Sequence, residues 1–200
     1  PVVSAVANFE TLDLVPGRCN MVSILCRDKC LSVCNVHNYG LTCRQIKTIK
    51  NSLLTLGSNI SLSPTKSFGV LVGDLNIKAE NESSFVIGGS FVGALRDRGF
   101  SNPLFSGQRV SQWRAILDAW SEIVQPMPTH FDFASKSVSR LDRAWAFGPS
   151  DLIIKLNVRS HVVDHPERYY ADGLSDHAPF IVSLGMKPQK PGNNSVPKFV

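Results

Sequence analysis

Residues Phe68-Gly69-Val70-Leu71-Val72 are an apolar run with no polar face. A strand that shows apolar side chains on both sides must be covered on both sides. The run therefore predicts an interior strand of a layered sheet, too continuous for a surface strand. It ends on Gly73-Asp74-Leu75-Asn76, and a second apolar run, Phe180 to Leu184, is entered through Leu174-Ser175-Asp176-His177-Ala178-Pro179. Strand ends that present acids, amides and imidazoles are where binding and catalytic groups gather in α/β sheets.

Helical periods separate the strands. Ile46, Ile49, Leu53 and Leu56 predict an amphipathic helix over 42–56, followed by a loop over 61–67 that contains Pro64. Trp113, Ile116, Leu117, Trp120 and Val124 predict a second one, stopped by Pro126 and Pro128, with both tryptophans packed in the core. A short helix is expected over Phe91–Arg98, after a polar loop over Ile77–Gly89. Met21–Cys26 and Cys30–Val36 read as a hairpin around Arg27-Asp28-Lys29. Residues 1–20 are weakly patterned, a connector and a strand start. Val138–Phe147 alternates, with Arg140, Asp142, Ala144 and Ala146 on one face and Leu141, Arg143, Trp145 and Phe147 on the other. Leu152–Val163 and His177–Leu184 complete the expected strands. Helices alternating with buried strands predict an α/β sandwich of mixed sheets. The 200 residues, 43% apolar, suit one domain over 1–186. The Pro-, Gly- and Lys-rich stretch 187–200 reads as a flexible tail or linker.

A formal net charge of +5 favours an anionic partner. No apolar run approaches the roughly 20 residues that span a bilayer, so no transmembrane segment is expected. The five cysteines, Cys19, Cys26, Cys30, Cys34 and Cys43, are odd in number and hold no CxxC pair. They read as buried small hydrophobes in a reducing, intracellular compartment, nuclear or cytoplasmic, rather than as a zinc site.

The chemistry sits at the strand ends. The His177 imidazole titrates near neutrality and can take a proton from an attacking water. Such a base needs an orienting carboxylate on its far nitrogen, and Asp142 is the candidate. Asp176 cannot easily reach the ring of its own neighbour and is assigned to a metal or a water. Asp74 and Asn76, two apart on extended chain, face one side. They can ligate Mg²⁺ or Mn²⁺ through hard oxygens, or hold a phosphoryl oxygen and a water. Gly73 permits close backbone approach beside them. His37, with Asn35 two residues earlier and Asn38 next to it, can donate to a phosphate, or be a structural histidine. Asn35, Asn38, Arg140 and Ser175 are assigned to substrate. His130, His161 and His165 have no evident partner and read as structural or surface residues.

In order, Asn35-Val36-His37, Gly73-Asp74-Leu75-Asn76, Ser139-Arg140-Leu141-Asp142-Arg143 and Ser175-Asp176-His177-Ala178-Pro179 resemble the endonuclease/exonuclease/phosphatase superfamily, over roughly residues 17–185. Thr129-His130-Phe131 running into Ser139–Asp142 looks most like the endonucleases of non-LTR retrotransposons, with abasic-site endonucleases as other relatives. The resemblance implies a four-layer α/β sandwich and a metal-dependent phosphodiester hydrolase. By motif, His177 would activate water and Asp142 would hold it. Asp74 would position the nucleophile, Asn76 would contact phosphate, and Asp176 would serve the metal. In lipid-active and DNase-like members the histidine of an Asn-x-His motif contacts the phosphate, and Asn35-Val36-His37 resembles that form.

The family's opening strands supply an Asn and a Glu that ligates the metal. Glu10, with Asn8 nearby, precedes Val15-Pro16-Gly17-Arg18, which resembles a position downstream of that Glu. The N-terminal strands are therefore expected to be missing, and the activity of this stretch to be weak or absent. Three functions compete. The first is DNA nicking, with Arg96, Arg98, Arg109, Arg114, Arg140, Arg143 and Lys136 for backbone phosphates. The second is hydrolysis of a lipid or sugar phosphate ester by the same chemistry. The third is an inactive truncated copy. DNA is the expected partner, and nothing in the sequence calls for an obligate protein partner.

Overall fold

The computed structural model describes residues 8–26, 29–63, 67–77, 85–86 and 107–185. The expected helix over 91–98, most of the 77–89 loop, Arg96, Arg98 and the 187–200 tail lie outside these residues.

The elements run β1 (Asn8–Val15), β2 (Cys19–Cys26), β3 (Lys29–His37), α1 (Cys43–Leu62), β4 (Ser67–Asp74), β5 (Phe85–Val86), α2 (Gly107–Leu117), β6 (Ser121–Glu122), β7 (His130–Asp132), β8 (Ser137–Ser139), β9 (Asp142–Phe147), α3 (Ser150–Lys155), β10 (Arg159–Val162), α4 (Pro166–Ala171) and β11 (Phe180–Ser183). The main sheet has six strands in the order β1-β2-β3-β4-β9-β6; β5-β8-β7 and β10-β11 form two smaller sheets. The pair β3–β4 is parallel and the other main-sheet pairs are antiparallel. Parallel neighbours need a crossover, which α1 supplies.

The doubly apolar run is interior as expected. One face of β4 sends Leu71 into a cluster with Cys34, Val36, Ile46, Ile49, Leu53, Trp113 and Trp145, beneath α1 and α2. The other sends Phe68 and Val70 into a cluster with Ala144, Ala146, Leu152, Leu156, Phe180 and Val182, beneath α3 and β10–β11. Helix α4 lies on β7, where the Tyr170 ring meets Phe131 edge-on at 5.2 Å. The order helix, large sheet, small sheets, helix is an α/β sandwich of mixed sheets.

Five sequence expectations change. Helix α1 continues to Leu62 because Ile60 extends the buried stripe by a turn, while Ser58 and Ser61 donate to carbonyls four residues back. Helix α2 ends at Leu117; beyond it Trp120 stays in the core, Ser121–Glu122 pair with β9, and Val124 is exposed. The stretch 152–163 is not one strand. Leu152, Ile153 and Leu156 recur at helical spacing behind Pro149, with Asp151 in the first turn and Lys155 in the last, which favours a helix before β10 begins. Residues 138–147 split at Arg140-Leu141 into β8 and β9, although the two faces of β9 alternate as expected. The weakly patterned start contains a full strand, β1, paired along its length with β2.

Candidate active site

Registration across the sheet builds the site. Rows run Val33–Val70–Ala146, then Asn35–Val72–Ala144, then His37–Asp74–Asp142 across β3, β4 and β9. Side chains alternate along a strand, so all nine project to the same face. Two rows are mostly apolar and seat the sheet on its neighbours; the third lies at the sheet's edge and is polar. Strands stand about 4.8 Å apart, which brings His37, Asp74 and Asp142 together without any contribution from chain proximity.

Gly73 makes the row possible. Its φ is +141°, and a Cβ there would lie 2.0 Å from the Val36 carbonyl oxygen. Asn76 reaches Asp74 by a route the extended-chain argument does not describe. The strand ends at Asp74, Asn76 takes a left-handed conformation (φ 49°), and its side chain folds back. Its backbone N–H donates to Asp74 Oδ1 at 2.9 Å and its Nδ2 to Asp74 Oδ2 at 2.8 Å. Burial, and then the negative charge of Asp142, push the Asp74 pKa above the usual carboxylate value.

His177 enters from the turn before β11, and Thr129 fixes where it lands. The fully buried Thr129 hydroxyl accepts from the N–H of Leu141 at 3.0 Å and of Asp142 at 2.9 Å. The Thr129 carbonyl accepts from Ala178 N at 2.8 Å, and Phe131 N donates to the Asp176 carbonyl at 2.8 Å. One short segment thus ties β9 to the Asp176–Ala178 turn. Across that tie, His177 Nδ1 lies 2.8 Å from Asp142 Oδ2. A carboxylate only accepts, so the Nδ1–H donates and Nε2 keeps its lone pair. Burial disfavours the imidazolium, yet the hydrogen bond to Asp142 and the charges of Asp142, Asp74 and Asp176 outweigh it. The His177 pKa therefore stands above its usual value. Ser175 Oγ accepts from His177 N at 3.0 Å, so it caps the turn.

Three neighbours had been given no role in the site from sequence. Arg18 Nη1 donates to His37 Nδ1 at 3.0 Å, which sets the His37 tautomer with its proton on Nε2, 3.8 Å from Asp74 Oδ2. The observed β2–β3 register, continued one step from Cys19–Val36, sets Arg18 opposite His37, whereas the expected turn at Arg27-Asp28-Lys29 would have set it opposite Asn38. Thr129 is the second. His130, read as structural or surface, is the third: its Nε2 lies 3.7 Å from Asp176 Oδ2, and its ring centroid 4.8 Å from that of His177. The Thr129-His130-Phe131 stretch carried a resemblance but no role for either side chain, because both act across elements. Burial and the His177 charge lower the His130 pKa.

Other candidates fall elsewhere. Asn38, read as substrate-binding, is 2% exposed, with its amide donating to the Leu75 carbonyl and accepting from Trp113 Nε1 at 3.0 Å; its work is inside the fold. Arg140 is held by Glu122 at 2.9 Å and by the Gln125 carbonyl at 3.1 Å, which removes it from the open phosphate-binding set. Arg143 is 4% exposed, 3.1 Å from the same Glu122, and burial lowers its pKa to about 10. Asn35 is exposed one row behind His37. Glu10 pairs with Ser23, five residues along β1 from the Val15 end beside the site, roughly 16 Å away at strand rise. Cys19 and Cys34 are buried in the core with their sulfurs 3.6 Å apart. His161 and His165 are exposed, the latter 3.7 Å from Glu167.

The donor types around the row suit a hard divalent cation. Asp74 and Asp142 stand opposite each other in one row and offer carboxylate oxygens to such an ion. Among the described residues no helix is long and apolar enough to cross a membrane.

No family model and no curated protein matches the chain. Solved structures do. The AP endonuclease LMAP from Leishmania major matches with a TM-score of 0.57 at 16% identity, over 90% of this chain and 62% of that one. The endonuclease domain of TRAS1, a telomere-specific non-LTR retrotransposon, matches at 0.53 and 13% identity, over 90% of this chain and 70% of that one. Both carry the endonuclease/exonuclease/phosphatase fold, and this chain has that fold.

Proposed function

We propose that the His37–Asp74–Asp142 row with His177 is the hydrolytic centre of a metal-dependent phosphodiesterase, a DNA endonuclease domain of the retrotransposon kind spanning residues 1–186. The observation that carries the reading is the 2.8 Å contact between His177 Nδ1 and Asp142 Oδ2. It leaves Nε2 able to take a proton from water, and the carboxylate steadies the imidazolium that results. The fold shared with two endonucleases and the net charge of +5 support a nucleic-acid substrate.

Asp74, half-buried beside the base, orients the water, and Asn76 holds Asp74 while its carboxamide oxygen faces a phosphate. The attacking oxygen bonds to phosphorus as one ester oxygen leaves. His37, its Nδ1 occupied by Arg18, donates from Nε2 to a phosphate oxygen where charge builds. Ser175 and Asn35 border the substrate. Asp74, Asn76 and Asp176 would hold Mg²⁺ or Mn²⁺, which when bound supplies positive charge against the phosphate. Such a domain works on DNA in the nucleus or cytoplasm.

The test is nicking of supercoiled plasmid by the 200-residue chain in Mg²⁺. Slow nicking that EDTA stops, and that His177→Ala lowers by about 10²–10⁴-fold, is expected. Absence of nicking by folded protein, or nicking indifferent to EDTA or to His177→Ala, overturns the reading.

A further inference from the structure

We propose that His130, Asp176 and His177 form a site for a transition-metal ion of the Zn²⁺ type, which shares Asp176 with the hard-cation set of Asp74, Asn76 and Asp176. The donor atoms of these three side chains lie within 4.8 Å of one another, the one such cluster among the described residues. Asp74 falls outside it.

The two imidazoles are oriented as metal ligands are. His177 is held at Nδ1 by the Asp142 carboxylate, and His130 Nδ1 lies 3.4 Å from Ser139 Oγ. Each ring is thus anchored by one nitrogen and presents Nε2, the arrangement in which an outer oxygen fixes a metal-binding histidine. The backbones are fixed as well. His130 and His177 face each other across a β-bridge closed by the Phe131 N to Asp176 O and Ala178 N to Thr129 O hydrogen bonds. Asp176 Oδ2 already sits 3.7 Å from His130 Nε2.

Chemistry selects the ion. Two imidazole nitrogens and one carboxylate suit Zn²⁺, which leaves a fourth position for water, whereas Mg²⁺ prefers an all-oxygen set. Zinc bonds near 2.1 Å imply tetrahedral edges of roughly 3.4 Å, about 1.4 Å shorter than the widest separation of 4.8 Å here. Asp176 is 57% exposed and has room to swing inward. An ion so bound occupies the His177 lone pair. Resting on the proposed function, it follows that such an ion arrests hydrolysis.

The experiment uses untagged, EDTA-stripped chain titrated with Co²⁺ and followed by visible absorption, then competed with Zn²⁺. One equivalent of tetrahedral Co²⁺ without a sulfur charge-transfer band is expected. His130→Asn and Asp176→Asn, each shown folded by circular dichroism, should abolish it, and Ser139→Ala should weaken it about tenfold. Binding unchanged in both ligand variants, a sulfur band, or no binding at all overturns the proposal. Plasmid nicking in Mg²⁺ is run in parallel: Zn²⁺ should arrest the wild type, and His130→Asn should need about tenfold more Zn²⁺ for the same loss. Binding with no nicking at all sinks the functional reading and leaves the metal site standing. Nicking with no binding does the reverse.

Discussion

Thr129→Val removes one oxygen and keeps the shape of the side chain. Thr129 is fully buried, and its hydroxyl accepts from two backbone donors, Leu141 N at 3.0 Å and Asp142 N at 2.9 Å. A buried donor that loses its acceptor costs about 1–3 kcal/mol, so two cost roughly 2–6. The added methyl returns about 0.8 kcal/mol. A net loss of about 3 kcal/mol is expected, which for a chain of this size lowers Tm by about 6–12 °C. Thr129→Ser keeps the oxygen, drops a methyl and should cost only about 1 kcal/mol. Urea unfolding followed by tryptophan fluorescence measures both, since Trp113, Trp120 and Trp145 are buried. One of the two donors belongs to Asp142, so nicking by the valine variant should also fall under conditions where it remains folded. The reasoning fails if Thr129→Val is as stable as Thr129→Ser. That result would mean the hydroxyl bridge between β7 and β9 carries no energy.

Gly73→Ala should prevent native packing, because its Cβ would stand 2.0 Å from the Val36 carbonyl oxygen at a φ of +141°; little soluble, cooperatively unfolding protein is the expected yield. Asp74→Asn should abolish nicking yet stabilise the metal-free protein at neutral pH. The folded-state pKa of Asp74 is raised, so the native state holds its proton more tightly than the unfolded chain. Stability is then lost as pH rises from the ordinary carboxylate range through the raised value, and the asparagine variant lacks that loss. Thermal melts of both proteins from pH 4 to 8 should diverge in favour of the variant; parallel curves would refute it.

Much of the site was legible because its pieces obey local rules. Gly73, Asp74 and His177 stand at or beside strand ends that an apolar run marks unaided, and the face that Asp142 shares with Ala144 and Ala146 follows from the period of two. Arg18 was not, because the expected turn at Arg27-Asp28-Lys29 shifts the hairpin by one residue from its observed register. Thr129 and His130 were not, since a buried hydroxyl bridging two strands and an imidazole facing another across a bridge leave no periodic trace. The same limit explains α3: Leu152, Ile153 and Leu156 fit a strand or a helix until the sheet beneath them takes only one of the two. Asn38 and Arg140 show the converse error. Polar residues beside a motif looked available, and the core and Glu122 had already engaged them.

The amino-acid order determined that β4 is interior, that α1 covers one face of it, and that acids and imidazoles close the strand ends, because those properties belong to short windows of chain. The tertiary structure decided which of these groups meet. His37, Asp74 and Asp142 share a row only through the registers of β3, β4 and β9, and His177 joins them only where Thr129 ties two distant segments together. Register and cross-sheet ties depend on packing energies summed over the whole chain, and no window of sequence contains them.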